Sequence, residues 1–297
     1  MLGGTEYTMA VLGLEVAVGA LLSFAAVDTL SKRVSSRLGN KMTALTMFAA
    51  SLLPLLFGMA FLGLTKVDWQ VVALSVGSGA VFASAYLLVY RSLETKQVSN
   101  TASLTPIEYV IMSALSVLVL GESVTGVEIA CFAAIFIGAF LATTTRGFKF
   151  DMGYVPALVA MVAFGASMIP LAIAQQASGG LIAPLLISRC AGLLVVGAYI
   201  LVSPENRKEF NRAVPRGARL VLLAENAAMG VFAALGSVCL LVLAQVNFLA
   251  VGSAMVSVEP AIVIFFGYLL YHDRFERHQL LGFAALIAGA VVLGAVA

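Results

Sequence analysis

Charge is scarce in this chain. Of its 297 residues, 11% are Asp, Glu, Lys or Arg, against roughly 25% in soluble globular domains. Hydrophobic residues make up 61% and the mean hydropathy is +1.04. A soluble fold of this size needs far more charge to cover its surface, which excludes a water-soluble enzyme. The apolar residues run the whole length, which excludes a soluble domain on a single anchor. A net charge of +2 points to no nucleic-acid partner. Histidine is limited to His272 and His278, whose spacing around the charged segment 273–277 fits no zinc motif. The three cysteines, Cys131, Cys190 and Cys239, fall in apolar stretches and read as small packers rather than a disulfide or metal set. Residues 1–8 carry no Lys or Arg, so the first apolar run lacks the basic leader of a signal peptide. No GxxxxGK[ST] loop is present, so ATP-driven transport would need another subunit. No cofactor or metal is expected. What remains is an integral membrane protein in a lipid bilayer.

A bilayer-crossing helix needs about 20 apolar residues. Reading for such stretches predicts ten transmembrane helices, at 9–30, 42–64, 70–90, 98–120, 125–144, 153–175, 181–202, 219–244, 248–271 and 278–296. The longest connector, 203–219, is charged and Pro-containing, and no room is left for an extramembrane catalytic domain. Fifteen of the 17 Lys and Arg residues lie in the loops after spans 1, 3, 5, 7 and 9. Lys66 lies in a loop of the other side, and Arg189 lies within a span. Basic loops stay in the cytoplasm, so both termini are expected outside, in the inner or plasma membrane of the cell.

The second half of the sequence repeats the first. CFAAIFIGAF (131–140) matches GFAALIAGAV (282–291) at an offset of 151, which also places Glu108 over Glu259, Gly79 over Gly230 and Glu122 over Asp273. Five spans is an odd number, so two such units must lie in opposite orientations. The loop charges agree, since each equivalent pair of loops exchanges its basic residues. The expected fold is therefore all-α, with ten transmembrane helices as two inverted five-helix repeats, residues 1–147 and 148–297. Inverted repeats put a substrate site at their interface near the midplane and give alternating access by rocking.

These features resemble the drug/metabolite transporter superfamily, specifically its ten-span EamA-type members. The resemblance rests on the paired five-span units, on Leu120-Gly121-Glu122 closing the fourth span, on Gly138 and Gly289 in the fifth and tenth, and on Pro260 thirteen residues before Asp273. Tyr109 stands where the second half has Pro260, and Asp273 replaces the usual Glu. The resemblance implies a secondary transporter of small organic solutes, with spans 1, 3, 4, 6, 8 and 9 around a central cavity. It also implies cytoplasmic termini, opposite to the loop charge count.

Ionisable groups inside a bilayer cost at least roughly 2.5–3.5 kcal/mol each on insertion scales, so each is a functional candidate. Glu108 and Glu259 stand ten and eleven residues into their spans, which is near the midplane at 1.5 Å per residue. Two such carboxyl groups facing one cavity can exchange a proton for a cation. The alternative is a protonated acid that only hydrogen-bonds a neighbouring helix. Thr101, Thr105, Glu108, Met112 and Ser116 form a polar stripe on span 4, or hydroxyls satisfied by their own backbone. Tyr86 and Tyr90 can present rings and hydroxyls to a cavity, and Tyr90 suits interfacial anchoring equally well. Glu15 lies in span 1 with Gly19 and Ser23 on its face, faintly similar to the first helix of four-span small multidrug members of the superfamily. Glu225 and Asn226 form a polar pair in span 8, as a gate or a helix start. Arg189 binds a substrate carboxylate or pairs with one of the acids. Glu122 and Asp273 are expected to order loop turns.

The expected function is secondary-active transport of a small organic metabolite, such as an amino acid, amine or related cationic or zwitterionic solute. Proton coupling, alternating access and export are expected with it, by a monomer or homodimer. A passive channel or facilitator on the same scaffold is the first alternative. An intramembrane enzyme is the second, although no catalytic or metal-spaced cluster supports it.

Overall fold

A computed structural model describes residues 3–62, 66–95, 104–144, 155–202, 204, 207, 216–262 and 277–296. Helices α1 (Gly3–Leu38), α2 (Asn40–Leu62), α3 (Trp69–Thr95), α4 (Pro106–Leu115) and α5 (Gly126–Thr143) come from the first half. Helices α6 (Val155–Ser178), α7 (Ile182–Val202), α8 (Arg216–Gln245), α9 (Leu249–Val256) and α10 (Arg277–Val296) come from the second. No strand occurs among the described residues. Seven of these helices are long and apolar enough to cross a membrane, while 106–120, 126–142 and 249–262 are shorter apolar helices.

The surface explains the low charge. Phe57, Phe61, Leu118, Leu194 and Val202 are all more than 60% exposed, an arrangement that only a hydrocarbon solvent tolerates over so much of a protein. Small polar side chains inside the bundle turn back on their own helices. Ser23 donates to the Gly19 carbonyl at 2.7 Å, Thr29 to Ala25 at 2.7 Å and Ser116 to Ser113 at 2.9 Å, which satisfies these hydroxyls in an apolar medium. At the start of α5, Thr125 and Glu128 close a reciprocal capping box.

Helix pairing is regular. α5 packs on α10, α3 on α6 and α7, α1 on α8 and α9, α2 on α7 and α8, and α4 on α6 and α9. Several of these crossings are close enough to require glycine, among them α3 on α7 and α8 on α2. A Cβ at Gly79 of α3 would collide with the Ser188 carbonyl of α7, and one at Gly230 of α8 would stand 2.5 Å from the Met47 carbonyl of α2. Most of the interior divides into two apolar regions. One, with Ala17, Leu55, Met112, Met168, Leu171, Leu185, Leu240 and Leu249, fills the end away from the basic loops. The other, with Val34, Met47, Phe48, Val196, Leu222 and Met229, packs α1, α2, α7 and α8 nearer to them.

Three spans depart from the reading of the sequence. α1 continues without a break to Leu38, eight residues past the expected end, because the basic segment after residue 30 is as helix-compatible as the apolar one before it. The described part of span 4 opens with a turn at 104–105, and Pro106 occupies the first helical position, where its missing N–H costs nothing. Span 9 is interrupted at 257–258, next to Pro260, which cannot donate to a continuous ladder. Thr101, His272, Asp273 and the end of span 9 lie outside the described residues, as does the Tyr90 side chain.

Candidate functional site

Between the two apolar regions lies a cavity of about 160 Å³. Its wall is built by the cavity-facing stripe of α1, namely Phe24, Val27, Asp28, Ser31 and Ser35, with Phe82, Tyr86 and Val89 of α3. Thr105, Glu108 and Tyr109 of the α4 start, Met161, Phe164 and Met168 of α6, Ser237 and Leu240 of α8, and Glu259 complete most of it. Ser31, Ser35, Val89, Thr105 and Met161 all lie towards the basic-loop ends of their helices. The cavity therefore runs to that side, while the first apolar region closes the other.

Among the described residues this space is lined by three acids, Asp28, Glu108 and Glu259, and by no Lys, Arg or His. Glu108 follows the turn at 104–105 that opens α4, and Glu259 follows the interruption at 257–258. The two carboxyl groups, from different halves of the chain, line one cavity. The Tyr109 hydroxyl donates to Glu259 Oε2 at 2.5 Å, and the Asp28 carboxyl lies within hydrogen-bonding reach of Glu259. Charge interactions link Glu108 to Asp28 and to Glu259, so the three acids act as one electrostatic unit. Carboxyl groups that face one cavity suit a proton or an external cation between them.

The opposite wall is aromatic and soft. Tyr86 and Phe164 meet edge to face with centroids 4.8 Å apart, and Phe82 meets Phe164 at 5.2 Å. Met47, Met161, Met168 and Met229 complete it, supplying polarizable surface that adapts to varied shapes. Behind this wall the Arg189 guanidinium lies 4.3 Å from the Phe82 centroid and donates to Ser237 Oγ. Ser237 in turn donates to the Ala233 carbonyl at 2.9 Å.

Of the residues singled out from the sequence, Tyr86, Thr105, Glu108, Tyr109 and Glu259 thus line one cavity. The others do not. Glu15 is exposed on α1. It stands 13 residues before Asp28, which at 100° per residue puts it far around the helix from the cavity stripe. Asn226 is fully buried between α8 and α2, donating to the Thr43 carbonyl at 3.1 Å and to the Thr46 hydroxyl. It ties two helices together, and its neighbour Glu225 also stays off the cavity wall. Arg189 is buried, but its partners are Ser237 and aromatic rings rather than an acid. In the span 4 stripe, Met112 belongs to the apolar core and Ser116 bonds its own backbone. Glu122 does more than order a turn. It accepts from the Leu249 amide at 2.9 Å and the Ala250 amide at 2.7 Å, capping α9 across the bundle.

Asp28 is the residue the sequence reading passed over. It lies three residues inside the expected end of span 1, where a charge reads as interfacial. Its signal was the helical phase shared with Phe24, Ser31 and Ser35. Among the described residues no group of three or more metal-ligating side chains occurs.

Comparison with known proteins agrees with this picture at the level of family and fold. The model of the EamA-like transporter family matches residues 11–144. No curated protein sequence matches the chain. Twenty-nine chains of solved structures match it. One crystal structure aligns with a TM-score of 0.73 at 12% identity, covering 94% of this chain and 95% of that one. That likeness is one of fold.

Proposed function

Residues 11–144 belong to the EamA-like transporter family, a domain of the drug/metabolite transporter superfamily, and from that premise we propose that this integral membrane protein exchanges protons for a small organic cation or zwitterion. The observation that carries the reading is the cavity whose described lining holds three acids and no base, backed by aromatic rings and thioethers. An ammonium group suits the Asp28, Glu108 and Glu259 carboxyls, and an apolar body suits Phe82, Tyr86, Phe164 and the methionines.

The facing carboxyl groups support such an exchange. With the cavity empty of substrate, Asp28 and Glu259 hold a proton between them and Tyr109 donates to the second oxygen of Glu259. A cation entering from the basic-loop side takes the place of that proton between the two carboxyl groups, its charge replacing the proton's. The proton leaves by the open side. When the cation departs, reprotonation restores the pair. Competition for one site is what couples the two fluxes.

Alternating access rests on a ten-helix arrangement of two inverted five-helix repeats, 1–147 and 148–297. It is supported by the helix pairings, since shifting each number by five turns α1–α8 into α6–α3, α2–α8 into α7–α3 and α1–α9 into α6–α4. The positive-inside count places the basic loops in the cytoplasm and both termini outside the cell membrane, so the cavity loads from the cytoplasm and the transporter exports. A proteoliposome screen of radiolabelled amines and amino acids, with and without a pH gradient, tests the reading. Gradient-dependent uptake of at least one class is the expected result. Equal uptake with and without the gradient would make the protein a passive facilitator.

A further inference from the structure

The cavity face of α6 does not stop where the cavity stops. Met161, Phe164 and Met168 line it. The same stripe continues through Leu171 and Ala172, which belong to the apolar region closing the bundle, and reaches Gln175. Seven residues, or about 10 Å of helix, separate Gln175 from Met168. Gln175 is 2% exposed, and neither its Oε1 nor its Nε2 has a hydrogen-bond partner in the structure. Its neighbours on the helix are satisfied: Ser167 donates to the Phe164 carbonyl at 2.7 Å and Ser178 to the Gly180 carbonyl at 2.9 Å. An orphaned amide buried among apolar side chains is unfavourable and calls for an explanation.

We propose that Gln175 is a second substrate-binding residue, on the path between the acid-lined cavity and the side opposite the basic loops. When the apolar region around Leu171 and Ala172 parts, the Gln175 Oε1 accepts an N–H from the departing ammonium group. In the closed arrangement that acceptor waits unpaired. The site selects organic cations that carry N–H donors over quaternary ones of equal charge. This inference rests on the reading of the cavity as a cation site.

The test compares benzylammonium with benzyltrimethylammonium in proteoliposomes holding the full chain or Gln175→Leu. Leucine fills similar volume and removes the orphaned amide, so the variant melts at a higher temperature than wild type. Its benzylammonium flux falls about tenfold or more, with benzylammonium binding to the cavity at equilibrium unchanged, and its benzyltrimethylammonium flux is unaltered. Gln175→Asn, which retains a shorter amide, keeps part of the benzylammonium flux. If Gln175→Leu slows both cations equally, or neither, this inference fails while the cavity reading stands. If wild type binds and moves neither cation, the cavity reading itself fails and this inference falls with it.

Discussion

The Tyr109 hydroxyl and Glu259 Oε2 lie 2.5 Å apart, joining residues 150 positions distant in sequence and two helices from opposite halves of the chain. The bond occupies the carboxyl group that also faces Asp28 and Glu108. It fixes the orientation of Glu259 at a helix break, where the backbone alone does not.

Tyr109→Phe keeps the ring and its packing but removes the donor. Hydrogen bonds to ionisable groups are worth about 1.5–3 kcal/mol, so cation–proton exchange is expected to fall roughly tenfold or more, with an unchanged melting temperature to within a few degrees. Flux assays and thermal melts of the purified variant check this. Unchanged exchange would show that the bond is only structural.

Asp28 and Glu15 are both acids of α1, and they separate function from presence. Asp28→Asn is isosteric and is expected to abolish dependence on the pH gradient. Glu15→Gln changes an exposed side chain away from the cavity stripe and is expected to transport like wild type. Transport rates of the two variants at matched protein density decide the matter. Loss of coupling in Glu15→Gln would move the site to another face of α1.

Glu122 holds the first two amides of α9 through both of its oxygens. Glu122→Ala strands two buried N–H groups, each worth about 1–3 kcal/mol, and a clear drop in melting temperature is expected. Burial raises the Glu122 carboxyl above its ordinary value of 4.5 even though the two amide bonds pull it down. A raised carboxyl favours the folded state at low pH, and this contribution is lost as pH climbs through the raised value. Wild type therefore loses stability relative to Glu122→Gln as pH rises from about 4.5 through that raised value. Melting curves of both proteins across that range measure the difference, and parallel curves would contradict it.

Gly79 and Gly230 stand at equivalent crossings, α3 on α7 and α2 on α8. Gly79→Leu forces those backbones apart, and overpacking of this kind costs roughly 1–3 kcal/mol. Gly77, two residues earlier, has open space where a Cβ would go, so Gly77→Ala is expected to be neutral or stabilising. Detergent melts of the two variants supply the comparison.

The offset of 151 residues carried much of what was readable in the sequence. It paired Glu108 with Glu259 and Gly79 with Gly230, and both pairs occupy matching places: the acids just past the turn at 104–105 and the interruption at 257–258, the glycines at tight crossings. Depth in the membrane was legible from hydropathy, because the bilayer imposes a length on every span. Helical phase was not. Glu15 and Asp28 sit on the same helix, and only the packing of α1 against α8 and α9 decides which of them faces inward. The turn at 104–105 was hidden in a continuous apolar and hydroxylic run. Arg189 was read as binding a substrate carboxylate or pairing with an acid, and the aromatic cluster around Phe82 gives the guanidinium a face to lie over. Such choices depend on contacts between halves of the chain, which no local pattern records.

The most direct measurement is benzylammonium flux into proteoliposomes against a set pH gradient, for wild type and Glu259→Gln. Wild type is expected to accumulate the cation only with the gradient, and Glu259→Gln is expected to lose that accumulation. Accumulation that survives in Glu259→Gln would contradict a proton-exchange site built on Asp28 and Glu259.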